Sequence, residues 1–245
     1  MKKFCFTIDD NIRFFKEITE SGYKTIFDHP YLAMLRRLHE RFNLAVQLNL
    51  FYSMDGFDLS EVSKNYADEW KENASWLKLS FHSKLENVCP YENSGYDEVY
   101  RDCKNVNAQI LRFASLESLA KTTTVHFCRT TLDGLKALKD NGYIGLLGLF
   151  GDSENPRTSY MVDEATAAEI RKGNTKPYEQ LEMASIDMVI NTVNLSDIPY
   201  ELSKLLSREA VRVMIHEQYF YEDYPYYQSD FEEKLNTVFS VLTDN

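Results

Sequence analysis

Apolar, strand-like runs recur along the chain at residues 4–8, 44–52, 76–81, 122–128, 143–150, 186–193 and 211–215. The first, Phe4-Cys5-Phe6-Thr7-Ile8, is near-continuous, the pattern of a strand buried on both faces. Between the runs lie helix-like stretches at 12–21, 30–42, 59–75, 96–115 and 132–141, with two more at 199–207 and 230–242. Asp58-Leu59-Ser60-Glu61 and Ser196-Asp197 supply N-cap chemistry, and Asn141-Gly142 supplies a C-terminal stop. Strand–helix alternation repeated about seven times predicts an α/β fold with a parallel sheet and right-handed crossovers. Residues 152–184 break the rhythm: they are polar and weakly periodic. They predict a two-stranded excursion around 158–162 and a short helix over 164–171. We read them as an insertion near the site within a single domain spanning 1–245.

The polar residues that interrupt this pattern gather where strands end, the place where α/β folds put their chemistry. Strand 4–8 runs straight into Asp9 and Asp10. Two adjacent carboxylates repel each other unless a cation, a proton or a substrate group separates their roles. His82, His126 and His216 close three other strands, whereas His29 and His39 fall beside or on helices. His82 and Glu86 are four residues apart, and a helical turn would place both on one face. With Asp10 they form an Asp/His/Glu set suited to a catalytic divalent ion, which would acidify a water for attack.

Charge narrows the partners. The formal net charge of −11 argues against nucleic acid or an anionic membrane surface, both polyanions. Cys5, Cys89, Cys103 and Cys128 show no C-x-x-C spacing and read as buried free thiols. Met1-Lys2-Lys3 is basic, but the apolar run after it ends at Asp9, too short for a signal core; a cytoplasmic location is the expectation. Trp70 and Trp76 read as core.

Thr7-Ile8-Asp9-Asp10-Asn11 resembles the T-F-D-D-G motif of polysaccharide deacetylases, which include chitin and peptidoglycan deacetylases. His82-Ser83-Lys84-Leu85-Glu86 resembles their H-[ST]-x-x-H motif, and Met214-Ile215-His216 resembles the histidine motif closing their last strand. The resemblance spans residues 4–217 and implies a distorted (β/α) barrel of about seven parallel strands. It further implies Asp9 as general base, Asp10 and His82 as metal ligands, and His216 as the acid protonating the leaving amine. The reaction implied is metal-assisted removal of an N-acetyl, sometimes O-acetyl, group from a sugar. Zinc is the family's usual ion, with Mn, Co, Fe or Mg as alternatives.

Three positions depart from the pattern. Glu86 stands where the family has a second metal histidine, and two carboxylates with one imidazole would cancel a dication's charge. The R-x-P-[YF] motif after the fourth strand is absent, leaving His126, ahead of Arg129, to take the place of the arginine that orients the base. Asn11 replaces the motif glycine. Beyond His216, the aromatic run containing Tyr219 and Tyr221 offers ring faces and hydroxyls for a sugar substrate. The sequence therefore predicts a metal-dependent deacetylase-like hydrolase acting on a carbohydrate or small amide. The alternatives are a lapsed barrel that binds a glycan or a protein, and a different hydrolase, such as a glycosidase with Glu217 or Asp152 as partner carboxylate.

Overall fold

The computed structural model describes residues 2–86, 91–152 and 154–244. Its parallel strands are β1 (Lys3–Asn11), β2 (Val46–Phe51), β3 (Leu77–Ser83), β4 (Thr122–Thr123), β5 (Gly145–Gly148), β6 (Leu181–Ser185) and β7 (Ala210–His216). The helices are α1 (Arg13–Ser21), α2 (Pro30–Phe42), α3 (Ala67–Glu72), α4 (Tyr96–Phe113), α5 (Leu132–Asp140), α6 (Glu164–Arg171), α7 (Ile198–Ser203) and α8 (Phe231–Asp244). β7, β1, β2 and β3 pair side by side, all parallel, and β4, β5 and β6 form a second parallel set. Neighbours around the ring are thus neighbours in sequence, the arrangement of a distorted β/α barrel.

Two seams join the sets. Between β3 and β4 the backbone ladder shrinks to a single bridge, Leu79 with Leu119. Side chains take over above it. Ser80 Oγ donates to the Thr122 carbonyl, and Thr123 Oγ1 donates to that of Phe81. At the other seam the chain changes partner: Ile186 N–H donates to Gly148 of β5, whereas Asp187 N–H donates to Arg212 of β7. Met188–Val189 then pairs with β7.

The helices are held by apolar faces rather than by propensity alone. Phe14, Phe15 and Ile18 of α1 are buried, and Phe239 of α8 packs on Phe4 and Phe6 at centroid distances of 5.6 and 4.9 Å. Trp70 and Trp76 are buried, as the sequence pattern implies. Cys5, Cys103 and Cys128 are free thiols; Cys89 lies outside the described residues. No helix among the described residues is long and apolar enough to cross a membrane.

Local corrections to the sequence pattern have local causes. The apolar run 122–128 is a strand only at Thr122–Thr123, because Phe127 and Cys128 adopt left-handed φ values of 58° and 55° and end the ladder. The stretch 59–75 breaks into turns at Leu59–Glu61 and Lys64–Tyr66 before α3, the first closed by a reciprocal Asp58/Glu61 capping box. Around 158–162 there is no strand pair: Tyr160 and Met161, also left-handed, turn the chain and bury the Tyr160 ring. The antiparallel pair of this segment is Lys176–Tyr178 with β6, while α6 forms where the sequence predicts it. Strand structure expected over 186–193 begins earlier, at Leu181, and a turn occupies Ile190–Thr192.

Candidate active site

A cavity of about 390 Å³ opens at the C-terminal ends of the strands, lined by Asp9, Asp10, His82, Thr124, His126 and His216 among others. In a regular strand Asp9 and Asp10 would face opposite ways. Here Asp10 takes a left-handed φ of 65°, and the β1–β2 register slips between Ile8 and Asn11, so both side chains border the cavity. Asn11 locks this bulge. Its Nδ2 donates to the Ile8 carbonyl (2.5 Å) and to that of Asn49 (3.2 Å), and its Oδ1 accepts from Tyr31 (2.9 Å). The residue that replaces the motif glycine is therefore a strut.

Asp10, His82 and His126 converge, their ligand atoms lying within 4.8 Å of one another. Asp10 Oδ1 is 3.0 Å from His82 Nε2 and 3.3 Å from His126 Nδ1, and the two ring nitrogens are 3.1 Å apart. Each imidazole spends its other nitrogen on a backbone carbonyl: His82 Nδ1–H on Thr124, His126 Nε2–H on Glu86 (2.6 Å). Those bonds choose the tautomers and aim both remaining lone pairs at Asp10. Two lone pairs and a carboxylate oxygen packed this closely need a proton or a cation between them. A donor set of one carboxylate and two imidazoles, each imidazole fixed from behind by a carbonyl, suits a divalent transition ion.

The Glu86 carboxylate does not join this group. The four-residue spacing argument requires a helical turn from 82 to 86, but His82 and Ser83 still belong to β3. Glu86 lines the cavity and supplies its backbone carbonyl to His126. His126, expected to stand in for an orienting arginine, instead faces Asp10. Arg129 is on the surface, paired with Glu92.

The base candidate is oriented by a residue that the sequence reading missed. Asn49 Nδ2 donates to Asp9 Oδ1 at 2.6 Å. Asn49 is held in turn by Gln47 Nε2, which donates to Asn49 Oδ1 at 2.7 Å. On the neighbouring strand β7, His216 Nδ1–H donates to Asn191 Oδ1 at 2.9 Å, leaving Nε2 for the cavity. The β1–β7 register sets Asp9 directly opposite His216. All three carboxamides, Asn49, Gln47 and Asn191, lie in or just after strands, and polar amides inside apolar runs were the available signal.

Environment separates the two adjacent carboxylates. Burial pushes Asp9 above the usual carboxylate range, against the pull of the His82 and His216 charges. Asp10 is also desolvated, but a proton shared with His126 and His82, the proton that the crowded cluster requires when no cation is bound, holds it well below that range. The two neighbours are thus pushed in opposite directions, Asp9 towards its protonated form and Asp10 towards its ionised one.

Tyr219 borders the cavity, its ring 6.0 Å from that of His216. Tyr221 does not. Its hydroxyl donates to Glu217 (2.9 Å), and the Arg13 guanidinium covers its ring at 3.8 Å. Glu217 is buried and caps α1, which lacks a side-chain cap of its own, by accepting from the amides of Ile12, Arg13 and Phe14 at 2.8, 3.2 and 2.8 Å. Asp152 is exposed and accepts from the amides of Glu154 and Asn155. Neither carboxylate lines the cavity, so the glycosidase pairings expected of them have no support.

No protein-family model and no curated protein matches this chain. Solved structures do match in fold. A family 4 acetyl xylan esterase from Clostridium thermocellum, in complex with a cobalt ion, superposes with a TM-score of 0.52 at 11% identity, over 99% of this chain and 84% of that one. A 4-alpha-glucanotransferase from Thermococcus litoralis gives a TM-score of 0.57 at 12% identity; this chain spans 38% of its length. A peptidoglycan N-acetylglucosamine deacetylase follows at a TM-score of 0.47 and 10% identity, over 99% of this chain and 82% of that one. At these identities the likeness is one of architecture. The chain has the distorted β/α barrel fold that family 4 carbohydrate esterases also have.

Proposed function

We propose that this chain is a divalent-metal-dependent deacylase, releasing an acyl group, acetyl first among them, from a sugar nitrogen or oxygen. The observation that carries the reading is the convergence of Asp10, His82 and His126 beside a separately oriented, buried Asp9. We take residues 1–245 as one catalytic unit, with 152–184 as an insertion at its rim. Asp10, His82 and His126 would hold the dication, whose chemistry when bound would be to polarise a carbonyl and acidify water. Two of the three ligands would be imidazole nitrogens, a donor set that suits zinc or cobalt better than magnesium.

The remaining chemistry belongs to the chain. Asp9, oriented through Oδ1 by Asn49, takes the proton of the attacking water on its second oxygen. His216, oriented by Asn191, gives a proton from Nε2 to the leaving nitrogen or oxygen. Base and acid stand beside one another at the ends of paired strands. Tyr219 offers a ring face to the sugar. The net charge of −11 favours a neutral or cationic glycan over an anionic polymer.

The test is acetate release from N-acetylated oligosaccharides and acetylated xylan by protein stripped with a chelator, then reloaded with zinc or cobalt. Metal-restored release supports the reading. Tight sugar binding with no release under any ion would instead identify a lapsed barrel.

A further inference from the structure

Asp10 has a partner outside the histidine cluster. Gln218 Nε2 donates to Asp10 Oδ2 at 2.7 Å, on the side opposite the oxygen that faces His82 and His126. Its Oε1, by contrast, is buried with no hydrogen-bond partner. A buried amide oxygen left unpaired is destabilising, because its lost hydration is not replaced. Natural side chains seldom sit this way unless the other half of the amide is committed.

The backbone around Gln218 is fixed for the same purpose. Its neighbour Glu217 is pinned by three amides at the start of α1 and by the Tyr221 hydroxyl. The end of β7 therefore grips the end of β1 twice, once on the backbone of residues 12–14 and once on the Asp10 carboxylate. Asp10 itself stands in a left-handed conformation at a bulge.

We infer that Gln218 is a positioning residue for the metal ligand Asp10: its amide N–H occupies Oδ2, so that Oδ1 alone is presented beside His82 and His126. This rests on the metal reading above. The unpaired Oε1 is the stability given up for that orientation. Gln218 also borders the cavity, but in this role it acts through Asp10.

Isothermal titration with cobalt or zinc, paired with the melting temperature of the metal-free protein, tests it. Gln218→Met keeps the length and removes the N–H. It should weaken metal binding about 10–100-fold while leaving the metal-free melting temperature unchanged or raised, since the unpaired carbonyl leaves too. Gln218→Glu sets a carboxylate against Asp10. It should lower the metal-free melting temperature and enlarge the rise that metal produces. A Gln218→Met protein that melts lower yet binds metal like the wild type would overturn the proposal and make Gln218 a packing residue. If Gln218→Met does not fold, a Gln218→Glu protein whose metal-induced rise equals that of the wild type overturns it equally. Wild-type protein that binds no divalent ion would reject the metal reading itself, a result distinct from either.

Discussion

Strands β7, β1, β2 and β3 run for seven, nine, six and seven residues, whereas β4, β5 and β6 run for two, four and five. In the first group, backbone ladders and doubly buried side chains hold neighbours together, and β2 is buried at every position. The second group is tied to the first by short backbone links, at Leu79 with Leu119 and through residues 186–189, and by hydroxyls reaching across to carbonyls. It also bears the left-handed pairs Phe127–Cys128, Tyr160–Met161 and Glu179–Gln180. The site draws on both: Asp9, Asp10, His82 and His216 from the regular half, His126 from the irregular one. A regular ladder delivers a side chain to a foreseeable place, while a strained turn delivers one that periodicity does not foresee.

The sharpest division of labour is expected at the paired carboxylates of the regular half. Asp9→Asn should lower kcat/KM by about 10²–10⁴-fold with metal content unchanged, measured by acetate release and metal analysis. If Asp9 is the base it must be ionised to act, so activity should fall as pH drops through the Asp9 titration, which burial moves upward from the ordinary carboxylate value.

The irregular half is tested by setting His126 against Glu86. His126→Ala should weaken metal binding by more than about 100-fold, beyond what loss of an outer partner usually costs. Glu86→Gln should change it by no more than about fivefold, as for a half-exposed charge outside the ligand set. Equal losses in a cobalt titration would erase the distinction drawn between the two positions.

Glu217 bears on how the regular half is locked. Removing the carboxylate that satisfies three amides of α1 by Glu217→Ala should destabilise the protein by about 3 kcal/mol in urea unfolding. Burial pushes its pKa from an ordinary 4.5 up to about 7, against the hydrogen bonds it accepts. The folded state then holds this proton more tightly than the unfolded chain does. Its contribution is fully present below pH 4.5 and is lost as pH rises to about 7, an amount of about 3 kcal/mol. Glu217→Gln should flatten that part of the stability–pH curve.

The smallest effect is expected at Phe127, whose side chain is 57% exposed while its φ is 58°. Phe127→Gly should stabilise the fold by about 1 kcal/mol, because glycine enters the left-handed region without a Cβ clash. The same change at Phe6 in β1, 2% exposed, should cost about 3–5 kcal/mol. A loss of stability at Phe127 would mean that the turn is held by its ring and not merely tolerated.

Legibility followed the same division. Apolar runs marked β1, β2, β3 and β7 because burial on both faces leaves an unbroken signature in composition. The adjacent pair Asp9-Asp10 and the strand-end histidines were visible because ionisable groups after such runs are rare without a partner. Glu86 misled because an i, i+4 spacing carries meaning only on a helix, and residue 82 is still in a strand. Tyr221 misled because an aromatic run does not say which rings turn inward to cover Arg13 and Glu217.

From the sequence alone come the alternating α/β plan, the place of the chemistry at strand ends, and a carboxylate–histidine centre, all written locally in runs and their interruptions. The tertiary structure alone decided that His126 meets Asp10, that Asn49 and Asn191 hold Asp9 and His216, and that Glu217 caps a helix some 200 residues away. Those are contacts between distant segments. They depend on a bulge at Asp10 and a left-handed turn at Phe127, small backbone choices that packing imposes and residue order does not spell out.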